Sequence, residues 1–519
     1  MDSKEHDFAP RDTVKERPAV SAAEDGPQEP IIDHTHIVRA RRLDRFIGFL
    51  PILAFASTTL GSWEGVAVGF SAGLLNGGPV VLIWGYLLAI FGALALSASI
   101  AEMASIIPVA GAQYHWTARY APGQKNFWGL IQGWLTVFGW LASVAGLPYF
   151  NATQIEGLVI LNYPNYVPHR WHGTLLMWAT MLIPLFLNIY ARKALAPFEI
   201  LGMIFHLCFL PIFIVVLVCT APRSSPSFVF TDFIYGESGW TNPGVAFSIG
   251  LLTATYTFTG FDGPLHMSEE VKKAHTTVPV TMVLSVLLNG VMAWGWMICL
   301  LFTMGNVQNA LDTPTGYPII EIFYQATRSL NGTNTLVAML MITGYVSLFG
   351  SLASVSRLVW AFARDGGLPF SKFFVYVDPK LKMPTRALGL VVMIVFLLSF
   401  VQLGSTAAFS AMISLSTLAL YASYTLPIIF WTIHKLRGLP IKYGPWHMGK
   451  MGIFVNLFAI AWGIYSCTFL PFPPSIPVDA KTLNWAGPIF GFVMLLALVD
   501  WFISGRKRFV APEHVLDED

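Results

Sequence analysis

Residues 243–273 carry an aspartate, two glycines and a proline inside an apolar run: Thr257, Phe258, Thr259, Gly260, Phe261, Asp262, Gly263, Pro264. Each glycine costs a helix about 1 kcal/mol and the proline about 3 kcal/mol, so a helix that enters this run is expected to break there. Pro264 has no N–H to return to the preceding turn, which predicts a free carbonyl near Gly260. Helix is expected to resume at Leu265 and to run into the charged Ser268–Lys273. A break of this kind offers carbonyl oxygens to an ammonium group, and the N–H groups and dipole of the outgoing half-helix to a carboxylate. In an apolar segment, a broken helix with an acid at the break points to the binding site of a transporter.

A second break is expected in the first apolar span, where Ser57, Thr58, Thr59, Gly61, Ser62, Trp63, Glu64 and Gly65 put hydroxyls, glycines and a carboxylate where only protein or water can satisfy them. The two breaks together predict a binding shell of Thr58, Thr59, Gly61 and Ser62 with the backbone of Thr259, Gly260, Phe261 and Asp262. Two readings stand for Asp262: it faces a cationic substrate or a proton pathway, or it caps a half-helix over 265–272. Glu64 is either a coupling carboxylate or an acid favoured by the dipole of the second half of span one. His206, within span five, is either a core imidazole bonded to a carbonyl or a protonation site for coupling. Trp63, Tyr256, Phe258 and Phe261 flank the breaks and either close over a substrate by cation–π contact or pack. His266 sits just past the second break. Glu102, Arg357, Arg364, Asp365 and Arg386 lie near one set of span ends, as an inner gate of ion pairs or as a solvated rim.

The elements that must position these residues are membrane helices. The chain has 519 residues, of which 55% are hydrophobic and only 12% charged, against roughly 25% charged in a soluble domain. Apolar runs of bilayer length, about 20 residues, recur from about 46–71 to about 484–504 and number about twelve. The expected fold is an all-α polytopic membrane protein with the lipid bilayer as its first partner. Lys and Arg are concentrated in alternate loops, 22 against the 4 of the other set (Arg170, Arg223, Arg328, Lys481), which places both termini in the cytoplasm. Residues 1–44 read as a disordered cytoplasmic tail, with no cleaved signal peptide and no lipidation motif. Breaks in spans one and six, five apart, fit two inverted five-helix repeats that each open with a discontinuous helix. These are 45–220 and 243–434, followed by two additional helices over 451–505 and a tail over 506–519. Residues 317–324 suit a short amphipathic helix at the outer mouth.

Several chemistries are excluded. A net charge of +2 implies no nucleic-acid partner. Cys208, Cys219, Cys299 and Cys467 lie in apolar segments with no ligand or disulfide spacing, so no metal or other cofactor is implied. Gly444–Lys450 has the spacing of a phosphate loop, but Met451 replaces the required Ser or Thr and the run follows a membrane helix, so no nucleotide is expected. No constellation of an enzyme recurs at one membrane face.

Three stretches, AEMASIIPVAGAQYHW (101–116), TGFDGPLHMSEEVKKAHTTVP (259–279) and SRLVWAFARDGGLPFSKFF (356–374), resemble the amino acid/choline transporter family of the amino acid–polyamine–organocation superfamily, and the resemblance covers about 45–505. It implies the five-plus-five inverted-repeat fold and alternating access. Fungal members carry 4-aminobutyrate, choline and other small amines, and the long polar tail fits a fungal member. The expected function is secondary active transport of a small amine or amino acid coupled to protons, in the plasma membrane or in a vacuolar or other internal membrane. The alternatives are an exporter or intracellular mover of a nitrogen-containing metabolite, and a sensor that no longer moves solute.

Two sequons follow from the charge pattern. Asn331–Gly332–Thr333 falls in an outside loop and Asn151–Ala152–Thr153 close to the membrane. Asn331 is expected to accept a glycan in eukaryotic expression, read as a mobility shift on endoglycosidase treatment. A tag in its loop that outside reagents cannot reach in intact cells would reverse the topology.

Overall fold

The computed structural model describes residues 45–404, 406–479 and 483–511, without the side chains of 406–413. The tail over 1–44 and the last part of the tail over 506–519 lie outside the described residues. Among the described residues the chain is helical, and the only extended pairing is a one-residue parallel bridge between Ile47 and Val271.

Ten continuous helices are long and apolar enough to span a bilayer, from Gly78–Ile106 to Ala486–Arg508. The first and sixth passes fall short of that length because each is interrupted. The first is α1 (Phe49–Leu60) and α2 (Ser62–Leu75), separated by Gly61 alone. The sixth is α8 (Pro243–Gly250), α9 (Leu252–Thr257) and α10 (Gly263–His266), with turns over 258–262. Between them run α3 (Gly78–Ile106), the short α4 (Gln113–Tyr120), α5 (Lys125–Asn162), α6 (Arg170–Tyr190) and α7 (Leu195–Thr220). After them come α11 (Ala274–Thr303), α12 (Pro318–Thr327), α13 (Leu330–Arg364), α14 (Thr385–Gly404), α15 (Thr406–Leu436), α16 (Gly452–Phe469) and α17 (Ala486–Asp500). The passes therefore run broken, four continuous, broken, four continuous, then two more. This is the order expected from sequence.

The outer helix expected near 317–324 is α12. It buries Ile319, Ile320, Ile322 and Phe323 and leaves Tyr324 exposed. Its amphipathic face is packed into the bundle.

Two sequence expectations are corrected. The helix after Pro264 does not continue to Lys272: α10 ends at His266, a 3-10 turn covers Ser268–Glu270, and Val271 then pairs with Ile47. Asn151 cannot carry a glycan, because it lies inside α5 at 1% exposure. Asn331 is exposed, in the first turn of α13 rather than in the loop before it.

The two broken passes are joined at both levels. Phe46 and Ile47 donate to the Glu270 carbonyl at 3.0 Å, and Lys272 N–H donates to the Ile47 carbonyl at 2.9 Å. At the breaks, Ser62 Oγ donates to the Thr257 carbonyl at 2.6 Å. Asn289 of α11 accepts from Ser62 N–H at 3.0 Å and donates to the Ser57 carbonyl at 3.3 Å. A buried amide in that position satisfies the backbone that Gly61 interrupts. Asn289→Ala should leave the Ser62 N–H without this partner, while the Ser57 carbonyl keeps the Gly61 N–H, and should cost about 1–3 kcal/mol. Thermal unfolding of the purified protein is expected several degrees lower, and an unchanged melting temperature would refute the role.

Candidate functional site at the paired helix breaks

Gly61 adopts φ 46° and ψ 45°, a left-handed conformation that ends α1 with its N–H on the Ser57 carbonyl. Helix restarts at once, so three residue types explain the break: glycine for the conformation, Ser62 for the cross-link, and Asn289 for the freed N–H. Gly260 has φ 103° and likewise suits only glycine. Its carbonyl is not free, contrary to the expectation from Pro264: it accepts from Gly263 N–H at 3.0 Å, closing a turn. Its N–H donates to Tyr424 Oη at 3.1 Å.

A cavity of about 980 Å³ of empty space, open mouth included, lies against these breaks. Its wall is Thr58–Gly61 and Glu64 from the first pass, and Tyr256, Thr257, Thr259 and Gly260 from the sixth. Helix α5 adds Trp140, Ser143, Phe150, Asn151 and Gln154, and α13 adds Thr343, Ser347 and Ser351. The α5 residues run from the middle of that helix toward the end away from Lys125, and the α13 residues lie about the middle of theirs. The cavity thus lies at mid-depth in the bundle, beside the breaks, and extends away from the basic ends along α5.

Of the residues singled out from sequence, Thr58, Thr59, Gly61, Glu64, Thr259 and Gly260 meet in this wall. Ser62, Trp63, Phe258, Phe261 and Asp262 are brought close to it but are turned into the packing. Trp63 is fully buried, donates from Nε1 to the His206 carbonyl at 3.2 Å, and packs against Phe213 and Trp296. Phe258 packs on Tyr86 and Phe261 on Tyr424, with ring centroids 5.4 and 4.4 Å apart.

Asp262 is fully buried and makes no cap. Its Oδ2 accepts from Gln113 Nε2 at 2.6 Å and Trp140 Nε1 at 3.0 Å, and its Oδ1 accepts from Tyr424 Oη at 2.6 Å. His266 Nε2 lies 3.4 Å from Oδ2, while Nδ1 is 2.9 Å from the Ala110 carbonyl. The carboxylate ties α4, α5 and α15 to the second break. Tyr424 Oη also receives the Gly260 N–H, so the network fixes the cavity wall through the backbone.

Glu64 and His206, singled out separately from sequence, are in contact: His206 Nδ1 is 2.8 Å from Glu64 Oε1. Glu64 Oε2 is buried without a hydrogen-bond partner, as is His206 Nε2.

Beneath the breaks the bundle is closed by buried ion pairs. Glu270, fully buried, accepts from Arg192 and Arg357, each at 2.8 Å. Arg364 is 3.0 Å from Glu269, and Asp365 accepts from Tyr114 Oη at 2.6 Å with His115 at 2.8 Å. Burial pushes the Asp365 carboxyl up, but Arg364 and His115 hold it down at about 2. Its contribution to stability is therefore present above the ordinary carboxylate range and is lost only as pH falls through about 2. Glu102 is fully buried and accepts from Lys435 Nζ, from Trp431 Nε1 at 2.9 Å and from Met448 N–H at 3.1 Å. These groups are not a solvated rim. Arg386 stands apart, stacked over Phe373 and Tyr376.

The contributions of α5 and α13 were not read from sequence. A signal existed: Trp140, Ser143, Leu147, Asn151 and Gln154 recur at steps of three and four, as do Thr343, Ser347 and Ser351, each marking one helix face.

With this geometry in hand, comparison with known proteins is informative. The family model described as amino acid permease matches residues 47–495. A choline transporter of Saccharomyces cerevisiae is 29% identical over 88% of this chain and 81% of its own length. The amino-acid permease BAT1 homolog of Oryza sativa subsp. japonica is 28% identical over 92% and 94%. Amino-acid permease 2 of Neurospora crassa is 28% identical over 95% and 90%.

Three donors converge on Asp262, and an asparagine has one acceptor oxygen to offer them. Asp262→Asn should bring its NH₂ against a donor and destabilise the protein by about 2 kcal/mol or more. A lowered melting temperature in purified protein is the expected result. A wild-type melting temperature would reduce the carboxylate to a replaceable contact.

Proposed function

The chain belongs to the amino acid permease family, and on that premise we propose that it is a secondary active carrier of a small cationic or zwitterionic amine. Amino acids, 4-aminobutyrate, choline and related amines are the substrate class, and transport proceeds by alternating access with protons as the driving ion. The observation that carries this reading is the composition of the cavity wall. Glu64 is its charged group among the described residues, no Lys, Arg or His lines it, and Trp140, Phe150 and Tyr256 bring aromatic rings. A carboxylate and ring faces attract an ammonium group in a low-dielectric site. The hydroxyls of Ser143, Ser347 and Ser351 are donors for the carboxylate of a zwitterion.

The Glu64–His206 contact supports a coupling role for the pair. A carboxyl group and an imidazole 2.8 Å apart can share one proton, and a proton held there removes negative charge that a bound ammonium would otherwise neutralise. Release of the proton and release of the amine are then linked through one carboxylate. The closed ion pairs around Glu270 and Glu102 describe a state with its basic end shut, and the charge bias between loops makes that end cytoplasmic. The cavity then faces outward, and the plasma membrane is the proposed location.

The test is uptake into proteoliposomes with an inwardly directed proton gradient, using radiolabelled choline, 4-aminobutyrate, arginine, alanine and glutamate. Accumulation of a cationic or zwitterionic member, abolished by an uncoupler, is expected. Transport of none of them, even in counterflow, would defeat the carrier reading. Glu64→Gln should raise the half-saturation concentration about ten-fold or more, the worth of a hydrogen bond to a charged group.

A further inference from the structure

Glu199 is the carboxyl group that the reading above leaves unused. It lies on α7, in the second turn, and is 1% exposed. Its Oε2 is 2.7 Å from Thr58 Oγ1, in the last turn before the first break and in the cavity wall. Its Oε1 is buried with no hydrogen-bond partner. Across from it is Gly350 of α13, where an added Cβ would come within 2.7 Å of Oε1. The carboxyl group fills a slot between the first, fifth and eighth passes that a glycine keeps open.

No cation is available to it among the described residues. Helix α1 carries no titratable side chain. From α2, Glu64 is engaged by His206, further along Glu199's own helix. From α13, Arg357 is held by Glu270, and Arg364 by Glu269. From α11, His275 is held at the Ser105 carbonyl near the basic end, and Cys299 lies near the far end of that helix. From α12 come Glu321 and Tyr324, which add no positive charge. Preceding α7, Arg192 is bound to Glu270. An ionised carboxylate buried at membrane depth without a cation or several donors is strongly disfavoured.

The hydrogen count points the same way. Thr58 Oγ1 has three acceptors around it: the Ala54 carbonyl at 3.0 Å, the Phe55 carbonyl at 3.2 Å and Glu199 Oε2. A hydroxyl has one hydrogen to give and two lone pairs to receive. The set balances when Glu199 brings its own hydrogen: the carboxylic O–H donates to Thr58 Oγ1, and Thr58 donates back to its own helix.

We propose that Glu199 is a proton-binding site of the transport cycle, protonated in this closed-basic-end state and releasing its proton to water when that end opens. This rests on the carrier reading. The first half of the broken helix is held to α7 through the Glu199–Thr58 contact, so loss of the proton turns that contact from O–H···O into a bond that Thr58 must donate at the expense of its backbone partner. Arg192 lies two turns earlier on the same stretch of chain, about 10 Å along a helix, and Arg357 lies two turns beyond Gly350. Both are committed to Glu270 here. Opening of the Glu270 pairs would make them the nearest cations for an ionised Glu199, coupling deprotonation to the gate.

The experiment has two arms on purified full-length protein. In the first, infrared difference spectra across a pH titration follow the carbonyl stretch of protonated carboxylic acid. The band is expected in wild type at neutral pH, missing in Glu199→Gln, and shifted in its midpoint in Glu199→Asp. A band identical in all three overturns the proposal. In the second, reconstituted protein is assayed with the labelled solute that wild type carries. Glu199→Gln should lose proton-driven accumulation at least about ten-fold, equivalent to one pKa unit of coupling, while solute counterflow stays within about three-fold and loses its pH dependence. Wild-type accumulation and pH profile in Glu199→Gln would overturn the proposal and leave the carrier reading standing. A wild-type protein that moves no solute would remove that reading, and the infrared arm would still decide the protonation of Glu199. Should Glu199→Gln fail to fold, Glu199→Asp in both arms decides.

Discussion

Two interruptions of helical backbone, buried at bilayer depth, have to be closed by protein groups, and the rest of the structure is arranged around that requirement. Ser62 Oγ reaches the Thr257 carbonyl, Asn289 spans the Gly61 gap from Ser57 to Ser62, and Gly260 N–H is received by Tyr424. Each bond joins one broken pass to another pass rather than healing the break within its own helix. The two breaks are consequently fixed against each other, and the space left beside them is a cavity with a defined wall. Ordinary unbroken helices would pack side by side there.

The buried carboxyl groups divide by what satisfies them. Asp262 has three neutral donors and serves as a structural anchor for the wall. Glu270 and Glu102 have cations and hold the basic end shut. Truncation of one partner of such a pair leaves a buried charge uncompensated, which is why these pairs suit a gate that parts as a unit. Glu64 has a histidine on one side and the cavity on the other. Glu199 has a hydroxyl alone. Of these five groups, Glu64 and Glu199 are held by neither a Lys or Arg nor three donors, and under the proposed function they are the ones on which proton coupling would act.

Much of this was legible in the sequence, because it depends on local chemistry. Glycine, proline and hydroxyl residues inside apolar runs located both breaks. The orientation of individual residues at a break was not legible. Phe258 and Phe261 read as candidate substrate-facing rings, but the turns over 258–262 direct them onto Tyr86 and Tyr424. The carbonyl of Gly260 read as free because Pro264 lacks an N–H, but Gly263 supplies one by tightening the chain into a turn. The wall contributed by α5 and α13 depends on contacts between elements far apart in the sequence, which periodicity can suggest as a helix face but cannot direct toward a given partner. The pairing of Glu64 with His206 is of the same kind: each was visible, and their contact was not.

The central claim is that the cavity at the breaks binds the transported solute and opens to one side at a time. Ser143 lines the cavity on α5 and is not engaged in the anchor network. In a background with Cys208, Cys219, Cys299 and Cys467 replaced, Ser143→Cys can be labelled with a membrane-impermeant thiol reagent from either face. The account predicts labelling from the face opposite the basic ends, slowed by saturating solute. Labelling that saturating solute leaves unchanged, or that proceeds equally from both faces at once, would contradict it.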